Sequence, residues 1–274
     1  MPEFYNRTRR SSSIGRKLLR SGRVLELPLY WLLRTSDLAR EGFENSGSYR
    51  FADHIYQNRA SGKYGIGLWL DRQLLGMRAV KAFRARFFSA RDELHAFLKQ
   101  RVEHGQQVDV LSVPCGIPRE LVEAVTKYRA EGNDLTNVHF HAVDLDLDVL
   151  QNAVAFAAES GITLHPQQGD ALDTATYQST FDFITSTGFG EFLDERKLTQ
   201  FYSVMLQQLR PGGVFVTSSM RRTPMAGYLL DLAELRVHYR TADEIASIAG
   251  NVGFASVSTS NDESGIQAFL KATK

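Results

Sequence analysis

The 274-residue chain has one cysteine, Cys115, so no intramolecular disulfide can form, and it is long and apolar enough to bury a full core without disulfides or structural zinc. It has no apolar run approaching the 18 residues a membrane-spanning helix would need. It lacks an excess of either charge: 32 Lys and Arg oppose 31 Asp and Glu, which leaves no global electrostatic case for nucleic acid. The dinucleotide pattern G-x-G-x-x-G is missing, which disfavours NAD. His139, His141 and His165 are too scattered along the chain to argue for a metal, and none is expected. Together these absences favour a reducing setting, with the cytoplasm as the expected location.

What is present is unevenly distributed. Residues 1–40 hold nine Lys and Arg against three acids, and Leu25 to Leu33 adds an apolar patch with Tyr30 and Trp31. A peripheral membrane contact or an acidic partner would suit this segment; the plain alternative is a solvated tail leading into a packed helix. Pro28 and Arg34 interrupt the patch, which argues against a secretory signal. The expected organisation is a basic extension over 1–45, a helical cap over 46–106 and an α/β domain over 107–274.

In the cap, Gly62, Gly65 and Gly67 mark a bend ahead of a helix whose apolar faces run from Leu68 to Phe88. Ser89 and Asp92 then precede a further apolar series at Leu94, Phe97 and Leu98 that ends near Gly105. After Val108 strands and helices alternate, as in parallel βαβ units. Strands are predicted at Val108–Val113, His139–Asp144, Ile162–Gln167, Phe181–Ser186, Val214–Ser218, Phe254–Ser258 and Ile266–Leu270. The short turn between the last two makes them antiparallel neighbours. Asp194 reads as the N-cap of a helix stopped by Pro211-Gly212-Gly213, and Thr241 to Glu244 as a capping box.

The turn after the first strand, Ser112-Val113-Pro114-Cys115-Gly116, places backbone N–H groups and a helix N-terminus where open α/β sheets bind ligands. Asp144 ends the second strand, where a carboxylate can accept both hydroxyls of a ribose; its plain alternative is a helix cap. Leu145 follows it. Asp170 and Ala171 end the third strand, where an adenine edge would lie, although Asp170 could merely fix a turn. Ser186 and Thr187 open a small-residue loop after the fourth. Cys115 reads as a packed residue, since no second cysteine or adjacent histidine would activate it.

These segments resemble the class I S-adenosylmethionine-dependent methyltransferases. The likeness runs through Val110–Gly116, Ala142–Asp146, Gly169–Ala171, Phe181–Ile184 and Leu209–Gly213, in order and at ordinary spacing. Met77 to Arg86 and the tail from Tyr239 to Leu270 are similar to a bacterial group of methyltransferase-like proteins of unassigned substrate. The resemblance implies a Rossmann-like, seven-stranded, mostly parallel sheet with an antiparallel last strand behind the N-terminal helical cap. It also implies S-adenosyl-L-methionine as cofactor, held by Ser112, Pro114, Cys115, Gly116, Asp144, Leu145, Asp170, Ala171, Ser186 and Thr187.

The chain departs from the family's first motif, which has an acid at the place of Ser112 and glycines at those of Pro114 and Pro118. Proline removes an N–H and fixes φ, though Pro118 can still open the following helix. Arg84 and Arg119 are candidates for the cofactor carboxylate.

The expected acceptor is a small or lipid-like molecule held between cap and sheet, and nucleic acid is not expected as a partner. If a base is needed, the candidates are Glu191 and His54, with Tyr49, Tyr56, Tyr64, Tyr228, His238 and Tyr239 behind them. Transfer of another part of the same cofactor, and a non-catalytic binding or partner-regulating module of the same fold, remain the competing readings.

Overall fold

The computed structural model describes residues 11–44, 49–102, 106–223, 227 and 236–274, without the side chains of Ser11, Ser12, Ser13 and Lys17. Arg7, Arg9, Arg10 and Tyr228 lie outside the described residues. The chain forms two compact units, Met1–Arg84 with Arg222–Arg236, and Ala85–Arg221 with Val237–Lys274. Among the described residues no helix is long and apolar enough to cross a membrane.

The first unit contains α1 (Ser11–Arg20), α2 (Leu27–Leu33), α3 (Asp37–Glu44), α4 (Tyr49–Gln57), α5 (Tyr64–Gly76) and the start of α6 (Arg78–Val102). Ile14 and Leu18, one turn apart on α1, pack with Tyr30, Leu33 and Phe43, while Leu38, Ile55 and Leu75 form a second small core. Asp71, fully buried, ties the unit together: it accepts the Ser36 hydroxyl and the amides of Leu38 (3.2 Å) and Ser61 (2.8 Å).

Gly65 and Gly67 do not precede a helix as expected but lie inside α5. At Gly67 a Cβ would collide with the Thr35 carbonyl, so glycine there permits a close approach of two backbones. Arg84 is also corrected. It is buried and donates to the carbonyls of Ile55 (2.8 Å) and Leu75 (3.3 Å), which commits it to the helices of this unit and removes it as a ligand for the cofactor carboxylate.

The expected cap boundary after residue 106 moves to Arg84/Ala85, inside α6. Ser89 and Asp92 do not break this helix. Ala82, Phe87, Ala90, Leu94, Phe97 and Leu98 keep a continuous buried stripe across them, and Phe97 packs on Phe183 of the sheet at 5.2 Å.

The second unit is a seven-stranded sheet of order β3-β2-β1-β4-β5-β7-β6. Its strands are β1 (Val108–Ser112), β2 (Val138–Asp144), β3 (Leu164–Gln168), β4 (Phe181–Ser186), β5 (Leu209–Met220), β6 (Ser256–Asn261) and β7 (Gln267–Thr273). β1 to β5 are parallel, and β7 runs antiparallel to both β5 and β6. The helices are α7 (Arg119–Ala130), α8 (Leu147–Glu159), α9 (Glu195–Gln208) and α10 (Ala242–Val252). Asp194 caps α9 and the Thr241–Glu244 capping box opens α10, as read from the sequence.

β5 starts earlier than expected. Leu209 pairs with Phe181 and Val214 with Phe183, so Arg210 to Gly213 form a bulge within the strand instead of a loop before it. The core joins Leu111, Ile184 and Phe215 of the sheet to Phe201 and Met205 of α9, all fully buried, each contributing about 1.5–3 kcal/mol.

Candidate functional site

β1 continues to β2 on one side and the chain returns to β4 on its other side, so the sheet's topological switch lies between the carboxyl ends of β1 and β4. The turn after β1 is firmly held. Val113 N donates to Thr185 O (3.0 Å) and Cys115 N to Val143 O (2.8 Å). The Val113–Pro114 bond is cis and Gly116 has φ +50°, the left-handed region that glycine accommodates. Pro118 is the N-cap of α7 and Arg119 its first residue. Burial drives the Cys115 thiol well above its ordinary range, with Asp144 and Glu120 adding to the effect, so it remains a packed thiol.

Asp144 is almost fully buried and bridges the two turns at this edge. Its Oδ2 accepts Gly116 N (3.2 Å) and its Oδ1 accepts Asp146 N (3.1 Å), with the Leu145 amide also acting on it, which leaves part of its acceptor capacity for a ligand. Burial pushes this carboxyl up, and the backbone amides of Asp146, Gly116 and Leu145 oppose the rise. The job of capping α8 falls to Asp146, which accepts Asp148 N. Asp170 is exposed; its Oδ1 accepts Leu172 N (2.9 Å), while Ala171, buried beside it, accepts the Tyr177 hydroxyl (3.0 Å). The turn role of Asp170 is thus real, and it uses one oxygen of the two.

The loop after β4 is anchored by residues that the sequence reading did not select. Gly188 has φ +84°, and a Cβ there would overlap the Arg86 guanidinium. Arg86 Nη1 lies 3.3 Å from each oxygen of Glu191, and Gln267 Nε2 donates to Glu191 Oε1 (3.3 Å); all three are buried. Arg240 donates to the carbonyls of Gly190 (3.0 Å) and Leu193 (2.6 Å). Burial pushes the Glu191 carboxyl up against the pull of Arg86 and Gln267. Glu191 is therefore an ion-paired loop anchor, because both of its oxygens already face a guanidinium.

His54, the other candidate base, belongs to the first unit, 3.7 Å from Asp71. Tyr56 packs on Phe83, Tyr64 is exposed, and His238 meets Glu191 through its backbone.

Ser112 is buried opposite Thr185, Pro114 and Thr187 are half-buried, and Leu145 accepts Gln168 Nε2 (3.1 Å) through its carbonyl. Among the described residues the buried hydroxyls of Thr185, Ser186 and Ser218, and Gln267 Oε1, have no hydrogen-bond partner. At the opposite edge Arg210 pairs with Asp109 (2.7 Å) and Asp182 (2.5 Å), so two of the resembling motifs carry a structural ion-pair network. The histidines scattered in sequence are neighbours in space: His141 lies 5.4 Å, and His139 6.5 Å, from His165, ring to ring. No cluster among the described residues has the arrangement to hold a metal.

Arg86, Glu120 and Gln267 each left a signal, a polar residue at an inward position of an apolar pattern. Arg86 falls between Ala82 and Ala90 on α6, Glu120 one turn before Ala124 on α7, and Gln267 among the apolar residues of β7. Burial raises the Glu120 carboxyl to about 7, against the pull of its own amide, Arg86 and Arg119. The folded state thus holds a proton that the unfolded chain loses near pH ~4.3, and stability falls as pH rises through that window. Glu120→Gln is expected to raise the melting temperature by about 4 °C or more near pH ~8 and to change it little near pH ~5, as read by calorimetric melts. An equal shift at both would contradict the buried-acid assignment.

Residues 37–273 match the model of a family described as "Putative methyltransferase". The chain belongs to this family. A search of curated proteins returns no match. Among solved structures, a "possible exported protein" from Bordetella parapertussis is similar at 23% identity over 96% of this chain and 94% of its own, with a TM-score of 0.75. Magnesium protoporphyrin IX methyltransferase from Synechocystis PCC 6803, solved with bound SAH, is similar at 13% identity over 81% and 93%, TM-score 0.54. An O-methyltransferase family protein from Burkholderia thailandensis matches at 14% identity over 72% and 61%, TM-score 0.51. These likenesses establish the Rossmann-like methyltransferase fold, whose sheet carries the candidate site of this family member at its switch point.

Proposed function

We propose that the protein is an S-adenosylmethionine-dependent methyltransferase acting on a small-molecule or lipid-like acceptor. The observation that carries this reading is Asp144: a buried carboxylate at the end of β2, beside the β1 turn, fixed by backbone amides and with acceptor capacity left to match a ribose diol. The SAH in the Synechocystis enzyme supports the choice of cofactor.

The residues present fit it. Gly116 allows close approach, Asp170 keeps an acceptor oxygen for an adenine amino group, and Ser186 Oγ is buried without a partner. When bound, S-adenosylmethionine supplies a methyl group on a sulfonium centre, whose transfer needs alignment and dryness more than acid–base help. The chain contributes those: Asp144 and the β1 turn orient, and the Arg86–Glu191 pair holds the loop after β4. No base is assigned to Glu191, because its carboxylate is engaged.

The test is incubation with methyl-labelled S-adenosylmethionine and separate polar and lipid extracts. Label recovered in an extract compound supports the enzyme. Cofactor binding with no transfer to any fraction would overturn it in favour of the non-catalytic module.

The lipid-like side of the reading draws on the first unit. Leu25, Leu29, Trp31 and Leu32 are 95%, 42%, 59% and 39% exposed, and Arg16, Arg20 and Arg23 are exposed in the same stretch. We propose that this apolar surface with flanking arginines makes a peripheral contact with anionic membrane, where each cation near the leaflet adds about 1 kcal/mol. Co-sedimentation with anionic vesicles is expected, with loss in the Leu25→Asp, Trp31→Asp double variant. Equal binding by the variant, or none by the wild type, would count against the contact.

A further inference from the structure

Two carboxyls bear electrostatically on Cys115 in the β1 turn, Asp144 and Glu120. Asp144 is engaged by the amides of Gly116 and Asp146. Glu120, in the first turn of α7, is buried, and among the described residues its carboxyl has no hydrogen bond beyond its own amide. A buried carboxylate needs a charged or hydrogen-bonding partner, or it stays protonated.

Helix geometry sets the direction in which it faces. Glu120, Ala124 and Tyr128 lie at i, i+4 and i+8 and are all buried. Tyr128 meets His95 of α6 ring to ring at 6.3 Å, and Arg91 of α6 lies 3.6 Å from Glu123. The α7 face that carries Glu120 therefore looks toward α6 about one turn ahead of Arg91, where Arg86 stands. The charged groups acting on Glu120 are Arg86, Arg119 and Glu123. Arg86 meets both oxygens of Glu191, and the Arg119 guanidinium lies 4.8 Å over the Phe156 ring.

The sheet adds acceptors on the same side. Phe183 packs on Phe97 of α6, so Thr185 two residues on shares that face, as does its register partner Ser112. Lys271 of β7 reaches Glu93 of α6 (2.8 Å), which places Gln267 on that face as well, opposite Met220, two residues beyond Ser218. Thr185 Oγ1, Ser218 Oγ and Gln267 Oε1 are buried without partners among the described residues. An amide oxygen such as Gln267 Oε1 can only accept. Ser218 and Gln267 stand farther along the sheet, on β5 and β7; at the switch point itself the unpartnered Thr185 Oγ1, beside Ser112, joins an under-neutralised carboxyl, a pairing that suits a cationic N–H donor.

We propose that Glu120 receives the α-ammonium of S-adenosylmethionine and so fixes the amino-acid end of the cofactor beside the β1 turn. The inference rests on the cofactor reading above. β1 ends in Ser112, which carries no charge, and Glu120 supplies the carboxylate from the next helix instead. The same carboxyl that lowers the stability of the free protein as pH rises is neutralised once the ammonium binds.

The test is calorimetric titration of wild type and Glu120→Gln with S-adenosylhomocysteine and with methylthioadenosine, which keeps the nucleoside and lacks the ammonium. The substitution is expected to weaken S-adenosylhomocysteine about 10- to 100-fold and to leave methylthioadenosine unchanged. Near pH ~6.5, where an α-ammonium is still charged, the wild type should release roughly half a proton or more per S-adenosylhomocysteine bound, and the variant none. Equal S-adenosylhomocysteine affinity in the two proteins overturns the role of Glu120, and so does equal weakening of both ligands, which marks general damage. Failure of the wild type to bind either ligand overturns the cofactor reading itself.

Discussion

Asp144→Ala is expected to weaken S-adenosylhomocysteine at least about 100-fold, because two charge-assisted hydrogen bonds to a ribose diol contribute roughly 1.5–3 kcal/mol each. The substitution also frees the amides of Gly116 and Asp146, so the turn that approaches the ligand loses its strut. The fold itself should persist. The bonds from Val113 N to Thr185 O and from Cys115 N to Val143 O hold the turn to β4 and β2 without this side chain. Asp144→Asn, which retains one acceptor oxygen, should fall between the two. Equilibrium dialysis with labelled ligand, beside a circular-dichroism melt, reads both quantities; a loss below about threefold with the fold intact would remove the ribose assignment.

Arg86→Ala is expected to destabilise the second unit by about 3–5 kcal/mol, since it leaves Glu191 buried and unpaired. At roughly 2–4 °C per kcal/mol for a unit of this size, the melt should drop by about 6–20 °C. Glu191→Gln should destabilise too, because it keeps one acceptor oxygen for Arg86 but leaves that buried cation without its counter-charge. A base role for Glu191 would show in turnover instead, which Glu191→Gln would abolish. Thermal melts of the two single variants read the loop-anchor role without knowledge of the acceptor; an unchanged melt in both would contradict it.

The fold was legible where a local pattern and a tertiary role coincide. The strand runs around Leu111 and Phe183 are apolar because both sheet faces are covered, and Asp194 and Thr241 mark helix starts through their own chemistry. Continuity of α6 was harder to read, since Ser89 and Asp92 imitate a cap; only the buried stripe across them shows that the helix runs on.

In the candidate site, the positions of Asp144 at the end of β2 and Gly116 in the β1 turn were legible because the strand–turn pattern fixes their surroundings. The partners of Glu191 were not legible, since Arg86 and Gln267 stand 105 and 76 residues away and only the folded sheet brings them together. Arg84 and Arg86 illustrate the limit. They sit two residues apart on one helix, yet one caps carbonyls in the helical unit and the other neutralises a carboxylate beside the sheet.

On this reading the carboxyl ends of β1 and β2 in the second unit hold the nucleoside of S-adenosylmethionine. A crystal structure grown with S-adenosylhomocysteine tests it most directly. The ribose hydroxyls are expected on Asp144 and the adenine edge beside Asp170; a nucleoside bound elsewhere, or no binding at millimolar ligand, would contradict this placement.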